Sequence, residues 1–486
     1  MAFWHEENLL IDGELVPAEG GRTFETLNPA TGEVLGEAAD ASLADADRAI
    51  AAARTAFDTT DWSTNHELRQ RCLYQLHEAL VRHTEDLRPT MIAEVGCPVM
   101  LTEMAALETP IEIVKWYADL LDKFEWSEDL GITEFRGAPH NRWVEKEPVG
   151  VVAGIVPYNY PLQITIAKVA PALAAGCTVV VKGPPDTPWV TQSFARIASE
   201  TDLPPGVLNV ISSSAVEVGE VLTTDPRVDM VSFTGSTAVG RRIMAAASDT
   251  VKKVFLELGG KSAYIVLDDA DLGLAAMIAS FTICSHAGQG CAITSRLLVP
   301  ETKADELIEQ VKGMLEGMAV GDPNDPATMM GPLINARQWD KVDAHVKQAV
   351  AEGARLVTGG HRPEGLPDGY FYAPTLLADV DPDATIAQEE TFGPVLSVLT
   401  FKDDDEAIAI ANNSLFGLSG TVNTSDRERG LRVARAVRAG TISLNGGMWY
   451  GPDAPFGGYK QSGIGREMGE PGLTEYLETK TIAEPV

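Results

Sequence analysis

Positive charge is in short supply in this chain. It carries 38 Lys and Arg against 70 Asp and Glu, a formal net charge of −32. A surface that acidic repels phosphate backbones and anionic lipid, which argues against nucleic-acid and membrane-surface partners. Cysteine is also scarce, with five in 486 residues. Cys72, Cys97, Cys177, Cys284 and Cys291 include no pair at CxxC spacing, so neither a metal site nor a dithiol redox centre is expected. An odd, sparse set fits a reducing compartment, and a cytoplasmic location is expected. Long apolar runs are missing as well. The longest, Val149–Val156, is too short to span a bilayer and is interrupted by glycine. The first residues carry acids where a secretory signal has a basic region, and no lipidation or retrieval signal is read at the other end.

What remains is ordinary globular composition, 45% hydrophobic and 22% charged, at a length that suggests two to four domains. Residues 40–125 read as helical, with Ala44–Ala56 and Glu67–His83 showing apolar spacing of three and four. Residues 127–147 read as extended. Strand and helix then alternate: strands at Val149–Val156, Cys177–Lys182, Val207–Ile211, Met230–Phe233 and Lys253–Leu258, with helices at Leu162–Ala175, Val190–Thr201, Val216–Leu222 and Val239–Ala247 between them. This is the pattern of a parallel sheet covered on both faces. A second alternation follows, with strands at Ala263–Leu267, Arg296–Val299 and Val395–Phe401 and helices at Ala304–Gly317, Trp339–Glu352 and Asp404–Asn412. The reading is therefore α/β, with two parallel-sheet lobes meeting near 258–262. The glycine-rich stretch Gly446–Gly472 reads as loop.

Four short motifs could carry chemistry. Phe233-Thr-Gly-Ser-Thr-Ala-Val-Gly240 is a strand, a small-residue turn and a helix start, a place where backbone N–H groups bind an anion or simply cap a helix. Gly288-Gln-Gly-Cys291 sets a thiol between small residues, as a nucleophile or as a small buried hydrophobe. His286 stands five residues earlier and is a conceivable base for it. Leu256-Glu-Leu-Gly-Gly-Lys-Ser262 ends an apolar strand in a glutamate; desolvation would raise its pKa toward the range of a general base, and solvent exposure would leave it inert. Pro157-Tyr-Asn-Tyr-Pro161 fixes Asn159 in a rigid turn, as an oxyanion donor or as a turn former.

Taken in order, PYNYP, FTGST, LELGGKS, GQGC, EETFGPV and APFGGYKQSGIGRE resemble the aldehyde dehydrogenase superfamily, from about residue 10 to the end. The cysteine follows the glutamate by 34 positions, as in that family. The resemblance implies two Rossmann-like lobes plus an extended oligomerisation arm. The cofactor domain would hold residues 1–126 and 148–258, the catalytic domain 259–469, and the arm 127–147 and 470–486. It implies that Cys291 attacks an aldehyde, that Asn159 and the Cys291 backbone N–H hold the oxyanion, and that Glu257 activates water to hydrolyse the resulting thioester. Lys182, Gly235, Ser236, Glu390, Phe392 and Tyr158 match cofactor-binding positions, and Lys168 matches a lysine near the active site.

Two departures stand out. Pro185, in Lys182-Gly-Pro-Pro-Asp-Thr-Pro188, occupies the position of the glutamate that binds the adenosine ribose, so NAD is expected while NADP is less excluded than usual. Asp186 either substitutes or caps a helix. Tyr158 stands where tryptophan is usual. The substrate entrance would be lined by Tyr160, Gln163, Ile164, Trp449, Tyr450 and Phe456, which suits a medium-sized apolar or aromatic aldehyde. A homodimer or homotetramer is implied. The competing readings are a CoA-acylating semialdehyde dehydrogenase, which typically lacks Glu257, a cysteine esterase without a redox step, and a binding protein on the same fold.

Overall fold

The computed structural model describes residues 3–446 and 450–486. Two large sheets form the body. The first has eight strands in the order Gly463–Ile464, Lys253–Glu257, Met230–Thr234, Val151–Ile155, Thr178–Gly183, Leu208–Ser212, Leu9–Ile11 and Glu14–Val16. Its five central strands are parallel, and antiparallel pieces close both edges. Numbered along the chain, those five run 3-2-1-4-5, a doubly wound order whose direction reverses between Val151–Ile155 and Met230–Thr234. Ligands of such sheets bind beyond the carboxyl ends at that reversal. The turns that follow these two strands are Pro157–Pro161 and Gly235–Ser236, two of the four motifs.

Helix Pro161–Ala175, which follows the first of these turns, is buried along its whole length. This explains its largely apolar sequence, in which Gln163, Thr165 and Lys168 form no solvent-facing polar stripe. Helix Leu43–Thr59 starts in a capping box made by Ser42 and Asp45, which satisfies N–H groups that would otherwise lack partners.

The second sheet has seven strands in the order Arg355–Thr358, Thr375–Ala378, Val395–Phe401, Thr294–Pro300, Ser262–Val266, Ser419–Asn423 and Thr441–Leu444. All pairs are parallel except at the Arg355–Thr358 edge. The chain leaves the first sheet after Glu257 and enters the second at Ser262. Both lobes are thus α/β with parallel sheets. A third, antiparallel sheet joins Ser127–Phe135, Ala138–Pro148 and Leu477–Pro485, with mostly exposed strands.

The glycine-rich tail is not all loop. Gly463–Ile464 pairs with Leu256 and Glu257 at the edge of the first sheet, and Gly469–Thr474 is a short helix. A two-residue strand carries no periodicity, which is why the sequence hides it. Among the described residues, no helix is long and apolar enough to cross a membrane.

Candidate active site

Glu257 is the last residue of its strand and is 2% exposed; the Gly458 N–H faces its carboxyl, but no well-formed hydrogen bond reaches either oxygen among the described residues. The backbone leaves it little room, since a Cβ on Gly457 would lie 2.7 Å from its Oε1. Burial and the neighbouring Glu467 push its pKa well above the ordinary 4.5, against the pull of Lys168 and Arg466. A buried carboxyl without a well-formed hydrogen bond is costly as an anion and takes up a proton readily.

Cys291 follows a loop whose backbone is unusual. His286, Ala287 and Gly288 all sit at positive φ, 48°, 52° and 71°. Three consecutive left-handed residues are rare outside glycine and occur where a site fixes the chain. Gly260 is held against this loop so closely that a Cβ there would come within 2.2 Å of the Cys291 carbonyl oxygen. Cys291 is partly open, whereas the other four thiols are buried. Burial of the thiol and the carboxyls of Glu257, Glu390 and Glu467 raise its pKa, so the resting group is a neutral thiol. Asn159 is 4% exposed, and its Nδ2 donates to the Gln289 carbonyl at 2.9 Å. An amide nitrogen has two hydrogens, so one N–H remains available beside the nucleophile loop.

Beneath this trio lies a buried ion pair. Lys168 Nζ donates to Glu467 Oε1 at 3.0 Å and to Ser232 Oγ at 3.3 Å, and Ser232 Oγ also meets the Tyr476 hydroxyl at 3.0 Å. Glu467 closes the APFGGYKQSGIGRE motif, but nothing in the sequence assigned it to Lys168, 299 positions away.

The remaining candidates lie on the strand ends of the first sheet and on the Glu390 loop. Lys182 is 9% exposed and donates to the carbonyls of Gly183 and Ser213; burial lowers its pKa to about 8. Ser236 caps helix Thr237–Ala247 by accepting from Val239 N–H. Gly235 is forced by its surroundings, because a Cβ would meet the Phe233 ring at 2.4 Å. Glu390 Oε1 accepts from Gly260 N–H at 2.9 Å. Phe392, at φ 59°, sets its ring edge-on to Tyr158 with centroids 6.1 Å apart. A cleft lined by Gly260, Gly290, Ile293, Glu390 and Phe392 lies between the Glu390 loop and the nucleophile loop.

The aldehyde dehydrogenase family model matches residues 15–482. The chain belongs to the aldehyde dehydrogenase family. It is 42% identical to a 3-succinoylsemialdehyde-pyridine dehydrogenase of a Pseudomonas species, over 97% of each chain. Among solved structures it is similar to a Mycobacterium tuberculosis aldehyde dehydrogenase complexed with NAD+, at TM-score 0.95 and 40% identity, covering 99% of this chain and 98% of that one. It is also similar to a Staphylococcus aureus betaine aldehyde dehydrogenase in complex with NAD+, at TM-score 0.95 and 36% identity, covering 99% and 94%.

Within this family frame, several site details differ from the sequence reading. Gln163 and Ile164, expected at the substrate entrance, are each 7% exposed and lie in the first turn of helix Pro161–Ala175, where the Gln163 side chain meets the Tyr450 hydroxyl. The expected entrance residue Trp449 lies outside the described residues. Tyr450 and Phe456 do pair edge-on, with centroids 5.0 Å apart. His286 is 2% exposed, both its ring nitrogens lack a hydrogen-bond partner among the described residues, and burial pushes its pKa down to about 4. Its ring lies 5.2 Å from that of Tyr160. A neutral imidazole facing a tyrosine is no evident base for Cys291.

Sequence reasoning missed the residues that hold the Glu390 loop. Lys341 Nζ donates to the Glu390 carbonyl, and Gln338 Nε2 to those of Thr391 and Phe392. These are contacts to backbone, which no motif encodes. Among the described residues no group of three His, Cys, Asp or Glu is arranged to hold a metal ion.

Proposed function

We propose that the chain oxidises an aldehyde to a carboxylic acid through a covalent adduct on Cys291, with NAD as the cofactor. The observation that carries this reading is the convergence of the Cys291 thiol, the buried Glu257 carboxyl and an Asn159 amide with a spare N–H beyond the carboxyl ends of the first sheet's strands. The cofactor assignment is supported by the NAD+ complexes of the M. tuberculosis and S. aureus structures. The chain's own residues fit it too. A cation at Lys182, a helix start at Ser236 and a carboxyl at Glu390 with one oxygen engaged are the kinds of group that a dinucleotide's ribose hydroxyls and pyrophosphate need. Lys182, Gly235, Ser236, Glu390, Phe392 and Tyr158 would hold the dinucleotide.

Glu257, with its raised proton affinity, takes the Cys291 proton. The thiolate sulfur attacks the aldehyde carbon, a C–S bond forms, and the carbonyl electrons move onto oxygen. The Asn159 amide and the Cys291 N–H donate to that oxyanion. NAD, when bound, accepts the hydride that leaves the adduct as a thioester. Glu257 releases the first proton to solvent and then deprotonates a water, which attacks the thioester carbon; the C–S bond breaks, the acid leaves, and the Cys291 thiolate takes the proton back from Glu257. Glu257 favours water over coenzyme A as acceptor, and the cofactor cleft favours a redox step over a bare esterase.

We further propose a medium-sized apolar or aromatic aldehyde, on the strength of Tyr160 and the Tyr450–Phe456 pair. The division of labour would follow the sheets, with cofactor on the first lobe and nucleophile on the second. The exposed third sheet would pair with another copy of the chain, and a cytoplasmic location fits the thiol content. The test is an aldehyde panel with NAD, following the absorbance of the reduced cofactor, beside Cys291→Ala. Turnover that the variant abolishes supports the reading; equal turnover in the variant overturns it.

A further inference from the structure

The cofactor reading leaves Pro185 unexplained, and the residues around it answer the question it raises. This inference rests on Lys182 being the contact for the adenosine ribose. Pro185 is exposed and offers neither charge nor hydrogen bond. Asp186 follows it, half-buried, immediately before helix Pro188–Ala198. It lies one residue ahead of the N-cap, Thr187, whose side chain makes no capping hydrogen bond. Here the cap is supplied from elsewhere. The N–H groups of Trp189 and Val190 donate to the two oxygens of Glu94, at 2.8 and 2.9 Å, and Glu94 is fully buried. Asp186 is therefore free of the helix. Its Oδ1 accepts from Asn335 Nδ2 at 2.8 Å, a residue that itself caps helix Ala336–Ala351 in the other lobe. Its Oδ2 takes no partner among the described residues.

A second acid reaches the same lysine from a different element. Asp40 is 6% exposed, and its Oδ1 accepts from Ser213 Oγ and from the N–H and Oγ of Ser214. Lys182 Nζ donates to the Ser213 carbonyl at 3.2 Å, so one turn joins Asp40 to Lys182. Both acids act on Lys182 to favour its charged form, against the burial that lowers its pKa. The opposing charges are Arg22, whose Nη2 donates to Asp40 Oδ2 at 2.9 Å, and Arg337, exposed at the start of the Asn335 helix, which acts on Tyr158 together with Asp186.

We propose that Asp186, backed by Asp40, performs the discrimination that Pro185 cannot, selecting NAD over NADP. A carboxylate with one oxygen held by Asn335 has the other available to accept from a ribose hydroxyl. The same carboxylate repels a 2′-phosphate, which carries about −1.5 to −2 charges at neutral pH.

The test uses the full chain without aldehyde and measures the Kd of NAD and of NADP by quenching of tryptophan fluorescence. The wild type binds NAD at least about tenfold more tightly than NADP, and Asp186→Asn narrows that ratio by about tenfold, chiefly by tightening NADP. The asparagine keeps an acceptor for Asn335, so the lobe contact survives. Asn335→Ala removes that contact and keeps the charge; it retains the NAD preference. Raising salt shrinks the wild-type ratio and leaves that of Asp186→Asn nearly flat. A wild type that binds both nucleotides equally overturns the proposal. So does an unchanged ratio in Asp186→Asn, or an equal change in Asn335→Ala. If the wild type binds neither nucleotide, the cofactor reading falls first and this proposal with it.

Discussion

Replacing Glu257 with glutamine should separate two things that the wild-type residue combines. The change keeps the shape and removes the titrating oxygen. Glu257 is 2% exposed and has no well-formed hydrogen bond to compensate its charge. Loss of a positioned general base costs on the order of 10²–10⁴ in rate. That loss should fall on thioester hydrolysis more than on formation of the adduct, because a thiol, even with its pKa raised by burial, gives its proton to another base far more readily than water does. Rapid mixing with aldehyde and NAD should then give a burst of reduced cofactor close to one per active site, followed by a steady state slowed about 10²-fold or more.

The stability consequence has the opposite sign. The folded-state pKa of Glu257 lies above its ordinary 4.5, so its contribution to stability is full below that pH and is lost as pH rises through the folded value. Between the two values the loss runs at about 1.4 kcal/mol per pH unit. Glutamine carries no such slope, and Glu257→Gln should unfold at equal or higher denaturant than wild type at neutral pH and above. A variant with wild-type steady-state turnover, or with burst and steady state reduced equally, would refute the assignment of Glu257 to hydrolysis.

Other expectations follow from the same geometry. Asn159→Ala should lower kcat about 10²–10³-fold, while iodoacetamide still alkylates Cys291; wild-type kcat would remove the oxyanion role. Lys168→Met should destabilise the fold by about 3–5 kcal/mol by stranding Glu467 in the interior, and Lys168→Met with Glu467→Met should recover much of it, read by denaturant titration. Because burial lowers Lys182 to about 8, NAD affinity should weaken as pH rises through that value, and Lys182→Met should flatten the profile. His286→Gln should leave the pH midpoint of Cys291 alkylation unchanged, since the imidazole is neutral and faces Tyr160.

The two α/β lobes were legible in the sequence because buried parallel strands read as short apolar runs, as in Val179–Val181, with helices between them. Edge pieces such as Leu9–Ile11 and Gly463–Ile464 were not, because two or three residues carry no period. The motif residues were legible through spacing and small-residue turns. What supports them was not. The pairing of Lys168 with Glu467, the cap that Glu94 gives to a distant helix, and the grip of Lys341 and Gln338 on the Glu390 loop all join residues far apart in sequence.

The central claim is a covalent, oxidised intermediate on one thiol, and mass spectrometry of the Cys291 peptide tests it. Glu257→Gln, quenched after the burst with aldehyde and NAD, should carry on Cys291 the mass of the aldehyde less two hydrogens, the signature of a thioester. A peptide that carries the full aldehyde mass, or an adduct on any other residue, would contradict the account.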